Sequence, residues 1–315
     1  MIVRVRKPGL LTTVQDRGRW RYQAMGVSVA GPMDMYSHRL ANALVGNDED
    51  AATLEVTLTG PELEFVDDRD VAVTGADFDL APAGVRPFKA GDRLAFGQRI
   101  RGARAYVAIS GGIATPKVFG SRATHLPSAM GGNDGRALKA GDELPLGPRT
   151  GPPKGGHYVQ GYVHGVRSVR LQADQPADHP TILRVLRGPQ LDRFAAGALD
   201  ALQSAPYRIG TDSSRMGYRL TGPRLEHTRG ADIISDATPL GVLQVPASGQ
   251  PILLMADRQT TGGYAKIATV ISADISVAGQ LAPGDEIRFA VCTPAEALAA
   301  LIAQEQTLMA IAGRA

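Results

Sequence analysis

Apolar and polar positions along this chain alternate mostly with the period of a strand and only in places with that of a helix. Short runs rich in β-branched residues occur at Asp70 to Thr74, Ala105 to Ile109, Ile182 to Leu186, Ile252 to Met255 and Ile267 to Ile271. Each is bounded by Gly, Pro or Asp, and each predicts a strand. Three more strands are signalled by one repeated device, a Gly-Asp turn: Gly91-Asp92 before Arg93, Gly141-Asp142 before Glu143, and Gly284-Asp285 before Glu286. Helical signals are confined to three segments. Met33 to Val45 has Pro32 ahead of it, Asp34 at the positive end of the dipole and Gly46 as a stop. A second helix is predicted from Pro189, with Leu191, Phe194, Ala195, Ala198 and Leu202 at helical spacing. The third opens on a capping box, Thr293-Pro294-Ala295-Glu296, and runs to at least Ala303.

These elements predict a mainly-β protein with few helices. An N-terminal β-rich domain is expected over 1–175, with its helix near 33–45, a C-terminal barrel over 181–292, and a helix and tail over 293–315. The Gly/Pro-rich stretch Gly147 to Gly156 reads as an exposed loop, and Gln172 to Pro180 as a linker. A faint echo suggests duplication: Met25-Gly26 precedes Gly31-Pro32 at the distance at which Met216-Gly217 precedes Gly222-Pro223.

Composition agrees with many turns, since the 315 residues include 37 Gly and 21 Pro without a collagen-like period. The net charge of +3 comes from 34 basic and 31 acidic residues that are interspersed, which argues against a nucleic-acid partner. Cys292 is the only cysteine, so the chain can form no internal disulfide and no cysteine-based zinc or iron–sulfur site. No run approaches the length of a membrane span, and no apolar leader opens the chain, so a cytoplasmic location is expected.

Several standard catalytic motifs are missing: a nucleophile elbow, a phosphate loop of the Gly-x-x-x-x-Gly-Lys type, a His-Glu-x-x-His pair and a dinucleotide fingerprint. His38, His125, His157, His164, His179 and His227 are dispersed and expected in structural or surface roles. Two segments stand out. Asp257 to Lys266 contains Thr260, Thr261, Gly262 and Gly263, which fit either an anion-binding nest of backbone amides or a plain Gly-Gly hairpin. Arg215 and Arg219 flank Tyr218, which fits either a carboxylate or phosphate clamp or a solvated loop. Asp16, Asp34, Asp77 and Asp257 are acid/base candidates, although Asp beside Gly or at a helix start also serves as a turn former or cap.

Ordered motifs run along nearly the whole chain. They include Thr12-Thr13-Val14-Gln15-Asp16, Leu40-Ala41-Asn42, Thr74-Gly75-Ala76-Asp77, Ser110-Gly111-Gly112, Gly120-Ser121-Arg122, Arg215 to Leu220, Gln244-Val245-Pro246 and Asp257 to Ile271. Together they resemble the family of the 5-oxoprolinase C subunit, also called allophanate hydrolase subunit 2 or KipA-like, related to part of the carboxyltransferase region of urea carboxylase. Ala265 departs from the family's usual Pro, which is expected to loosen the turn after Tyr264.

The resemblance implies cyclophilin-like β-barrel domains in tandem with a few short helices. It also implies ATP-dependent opening of 5-oxo-L-proline to L-glutamate, in a complex with two other 5-oxoprolinase polypeptides, the KipI-like B subunit and the A subunit, with the lone chain inert. ATP and Mg2+ would serve that complex. From residue chemistry, Arg215, Arg219 and Lys266 with the Thr260 to Gly263 backbone are expected to hold a small amide's carboxylate or a phosphate. Tyr218 and Gln244 are expected to line the same site, and Asp16 or Asp257 to orient reacting groups or Mg2+. Two other readings accompany this one. One is carboxyl transfer in a urea- or amide-carboxylating system, with biotin on a separate chain because no Met-Lys-Met acceptor is present. The other is a regulator that binds a KipI-like kinase inhibitor.

Overall fold

The computed structural model describes residues 1–80, 84–149, 180–311 and 313. Two compact units result. The first comprises Met1–Arg19, Ala30–Val169 and Glu305–Ala315, and the second comprises Trp20–Val29 and Arg170–Gln304. The expected linker, except Pro180, and most of the expected loop after Gly147 lie outside the described residues, as do His157, His164 and His179. The units are not contiguous in sequence, because residues 20–29 cluster with the second and the end of the C-terminal helix with the first.

The first unit contains β1 (Ile2–Lys7), β2 (Leu11–Gln15), β3 (Thr53–Thr57), β4 (Glu62–Phe65), β5 (Arg69–Phe78), β6 (Val85–Phe88), β7 (Arg93–Ala95), β8 (Arg99–Ile109) and β9 (Glu143–Pro145). They form a four-stranded sheet, β7-β4-β1-β9, and a five-stranded sheet, β2-β3-β8-β5-β6. Strand β8 shows how period two builds the packing. Ala105, Val107 and Ile109 enter a core with Val3, Leu63 and Phe65, while Tyr106 and Ala108 project into a second core with Leu40 and Leu44. The latter pair belongs to the helix Met35–Leu44, which is capped by Asp34: its side chain accepts from Ser37 N at 2.9 Å. The predicted start at Met33 is two residues early because Asp34 is extended, at φ −120° and ψ 91°, and serves as the cap; ahead of it Met33 N donates to the buried Glu55 carboxylate at 2.8 Å, which also accepts from Tyr106 Oη at 2.8 Å.

The second unit contains β10 (Thr181–Arg187), β11 (Tyr207–Ile209), β12 (Gly217–Thr221), β13 (Asp232–Ala237), β14 (Val242–Gln244), β15 (Ile252–Leu254), β16 (Thr261–Tyr264), β17 (Lys266–Val270) and β18 (Glu286–Val291). Seven of them close a barrel in the order β10-β17-β14-β15-β12-β11-β18, completed by the parallel pairing of β10 with β18. Closure leaves no free barrel edge. The other two, β13 and β16, form a separate antiparallel ribbon. Between the pairs Asp232↔Tyr264 and Asp236↔Gly262 the first strand carries extra residues opposite Gly263, which makes a bulge.

All five β-branched runs and all three strands after Gly-Asp turns are present. The helix predicted from Pro189 is replaced by a short 3-10 turn, Leu191–Arg193, and a separate helix, Ala198–Ser204, because Phe194 is extended and Gly197 is left-handed at φ 86°. The echo of Met25-Gly26 in Met216-Gly217 marks no equivalence. Gly26 ends a 3-10 turn at φ 79°, whereas Gly217 opens β12, and both pairs lie in the second unit.

Candidate functional site

The barrel places one ionic group and several carboxamides together. Lys266 opens β17, and its side chain is 2% exposed, while that of Asp236 on the ribbon is 51% exposed. Lys266 Nζ donates to Asp236 Oδ2 at 2.5 Å and to Ala237 O at 2.9 Å. A hydrogen bond from that ammonium holds the Asp236 carboxyl below the usual carboxylate range. Lys266 N donates to Gln190 Oε1 at 3.3 Å, and Gln259 Nε2 to Gln244 Oε1 at 3.3 Å. Gln244 Nε2 is buried with no hydrogen-bond partner among the described residues. A buried ammonium beside a half-exposed carboxylate can hold a polar group in a fixed orientation, and the carboxamides supply neutral donors and acceptors suited to an amide.

Gly262 and Gly263 form neither a nest nor a hairpin turn. They lie within β16, where Gly262 pairs with Asp236, and neither has the left-handed φ a nest requires. What Gly262 supplies is proximity: a Cβ there would stand 2.5 Å from Gln244 Nε2 and 3.0 Å from Thr238 Cγ2. Thr261 lies opposite Ala237 in the same ribbon, and Thr260 O accepts from Thr238 N at 3.1 Å. Ala265 N–H donates to Ala231 O at 2.9 Å, a bond a proline could not make, so Ala265 ties down the segment it was expected to loosen.

The other expected cations are carboxylate-paired. Arg215 donates from Nε and Nη2 to the two oxygens of Asp257 at 2.9 and 3.0 Å, with both side chains buried. This pair ties the start of β12 to the segment after β15, reinforced by Asp257 N donating to Arg215 O at 2.9 Å. Arg219 faces Asp212 at 3.0 Å in solvent. Tyr218 Oη donates inside the barrel to Ala278 O at 3.1 Å. Asp16 lies in the other unit, where its carboxylate accepts from Gly18 N at 3.0 Å, Ser121 Oγ at 2.5 Å and Arg122 N at 2.5 Å. Asp16 and Asp257 are thus committed to protein groups, and no cluster of three or more metal-ligating side chains occurs among the described residues. The expected set therefore divides: Lys266, Gln244, Thr260, Thr261, Gly262 and Gly263 gather about the ribbon, while Arg215 and Asp257 form a buried strut.

Sequence reasoning missed Asp236, Gln190 and Thr238. Strand β13 reads as a mixed polar run, and nothing local connects Asp236 with a lysine 30 residues later. Arg258 and Gln259 sit inside the segment singled out from sequence, but no motif set them apart.

The mainly-β fold with its closed seven-stranded barrel is that of a carboxyltransferase-domain protein. The family model described as carboxyltransferase domain, subdomain A and B, matches residues 25–291. The 5-oxoprolinase C subunit of Escherichia coli is 38% identical, over 99% of this chain and 98% of that protein. The protein of the same name from Haemophilus influenzae is 33% identical, over 90% and 89%. The crystal structure of the Kluyveromyces lactis urea amidolyase matches with a TM-score of 0.87 at 29% identity, covering 98% of this chain but 20% of that one. The chain belongs to the carboxyltransferase subdomain A and B family, in the group that contains the 5-oxoprolinase C subunits. No helix among the described residues is long and apolar enough to cross a membrane.

Proposed function

We propose that this chain is the C subunit of an ATP-dependent 5-oxoprolinase, opening 5-oxo-L-proline to L-glutamate together with the KipI-like B subunit and the A subunit of that enzyme. One observation carries the reading: the match to the Escherichia coli protein spans both chains almost end to end, whereas the urea amidolyase match covers only 20% of that longer protein. A lactam resists water, and phosphoryl transfer to its oxygen makes the ring carbon far more electrophilic. On this reading Lys266, oriented by Asp236, and the carboxamides of Gln190 and Gln244 bind and orient the cyclic amide. The donor set does not fit Mg2+, since the Asp16 oxygens accept from backbone and hydroxyl groups and those of Asp257 from Arg215. ATP enters as a cosubstrate of the assembled complex.

The test is reconstitution of all three polypeptides with ATP and 5-oxo-L-proline, measuring glutamate formed. Activity that depends on this chain, and falls about a hundredfold or more in Lys266→Ala, is expected. Full activity without this chain would overturn the reading and favour the regulator that binds a KipI-like inhibitor. A biotinylated partner that co-purifies and accepts carboxylate would favour carboxyl transfer.

A further inference from the structure

The cations expected to grip an anion are neutralised by Asp257, Asp236 and Asp212. One arginine in the same segment is not. Arg258 has no ion pair among the described residues, and its side-chain donors reach only carbonyls there, with Nε to Thr238 O at 2.7 Å and Nη1 to Met255 O at 3.4 Å. A guanidinium carries five N–H donors, and among the described residues Nη2 makes no hydrogen bond. Partial burial pushes this guanidinium down to about 10, with no carboxylate among the described residues offsetting the lost hydration. A cation in that state gains most from an anion that arrives from outside.

Its neighbourhood is built around Thr238. The carbonyl of Thr238 accepts from Arg258, its hydroxyl donates to Gln259 O, and its N–H donates to Thr260 O at 3.1 Å. A Cβ at Gly262 would meet both Gln244 Nε2, at 2.5 Å, and the methyl of Thr238, at 3.0 Å, so the glycine leaves the room in which these two groups sit. Gln244 is 2% exposed, and its Nε2 is an independent second donor without a partner among the described residues. Ser28 Oγ donates to Arg258 O at 2.7 Å, which fixes the backbone from which the guanidinium projects.

We infer that Arg258, together with the Nε2 amide of Gln244, forms the anion-holding element of this barrel and takes the carboxylate of a small cyclic amide or of its opened product. The carboxylate's identity rests on the proposed function, whereas anion capture by Arg258 does not. A carboxylate presents two acceptor oxygens to the fork of a guanidinium, a geometry that lysine's single ammonium does not match.

Titration calorimetry on the full chain, with sodium 5-oxo-L-proline in one arm and inorganic phosphate in the other, reads the site without turnover. Arg258→Gln is expected to weaken carboxylate binding by about tenfold to a hundredfold, the range for charged hydrogen bonds. Arg258→Lys is expected to restore part of the loss, and Gln244→Leu to weaken binding by about fivefold. These last two variants keep the test decisive should Arg258→Gln fold poorly. Unchanged affinity in Arg258→Lys and Gln244→Leu, or no binding by the wild-type chain in either arm, overturns the site. A loss confined to the phosphate arm overturns the carboxylate assignment. Turnover of the assembled complex is scored separately: a complex that makes no glutamate while anion binding depends on Arg258 refutes the proposed function and leaves the site standing.

Discussion

Removing Asp257 tests how the segment after β15 is anchored. The perturbation is Asp257→Ala. It deletes both acceptors of the Arg215 fork, at 2.9 and 3.0 Å, in a pair whose side chains are 6% and 2% exposed. The guanidinium then stays buried without its carboxylate, and breaking such a pair from one side costs roughly 3–5 kcal/mol. Arg219 and Asp212 supply the control within the same unit, because at 60% and 65% exposure their pair is worth about 0–1 kcal/mol. The assay is urea denaturation of the full chain, comparing midpoints at unchanged slope for Asp257→Ala, Asp212→Ala and the double variant Arg215→Met with Asp257→Leu. The double variant removes both charges and is expected to recover most of the loss. A cost for Asp257→Ala of under about 1 kcal/mol, or no larger than that of Asp212→Ala, would refute the argument that this pair is a structural strut.

Two further outcomes follow from the fold. Burial pulls the His38 imidazole from 6.5 down to about 4. As pH falls below 6.5 the unfolded chain takes up a proton that the folded chain refuses, so His38 stabilises the protein above that pH and loses the contribution as pH falls through about 4. Between about pH 7.5 and about pH 5 the loss is about 2 kcal/mol, and a stability difference between wild type and His38→Gln that does not change over that interval would contradict it. At the C-terminal helix, Thr293 Oγ accepts from Glu296 N at 3.2 Å and Thr293 N donates to the Glu296 carboxylate at 2.7 Å. Thr293→Ala is expected to raise hydrogen exchange at the Glu296 amide by about fivefold, a typical consequence of losing a cap. Unchanged protection would show that the cap contributes nothing.

Local chemistry was legible wherever it acts through neighbours in sequence. The capping box at Thr293 formed as read, and the Asp34 cap, the Gly-Asp turns and the β-branched strands were each visible within a few residues of sequence. The helix Ser272–Gly279 left no trace because Ala273 through Gly279 are all buried, which erases the amphipathic contrast that identifies a surface helix. The Gly262-Gly263 pair was misread for the opposite reason. Two glycines resemble a turn from within the segment, yet pairing with Asp232–Ala237 holds them extended. Local preference yielded to a ladder made with residues about 30 positions earlier.

Strand periodicity and motif order were enough to reveal the β-rich class, the family and the unusual segment Asp257 to Lys266. Which of the chain's charges are already paired follows from the folded barrel alone. Arg215 and Lys266 are equally cationic on paper, but barrel closure sets one against Asp257 and folds the ribbon's Asp236 onto the other, while among the described residues Arg258 meets only carbonyls. Charge pairing depends on distance and burial, and those are fixed by strands far apart in sequence.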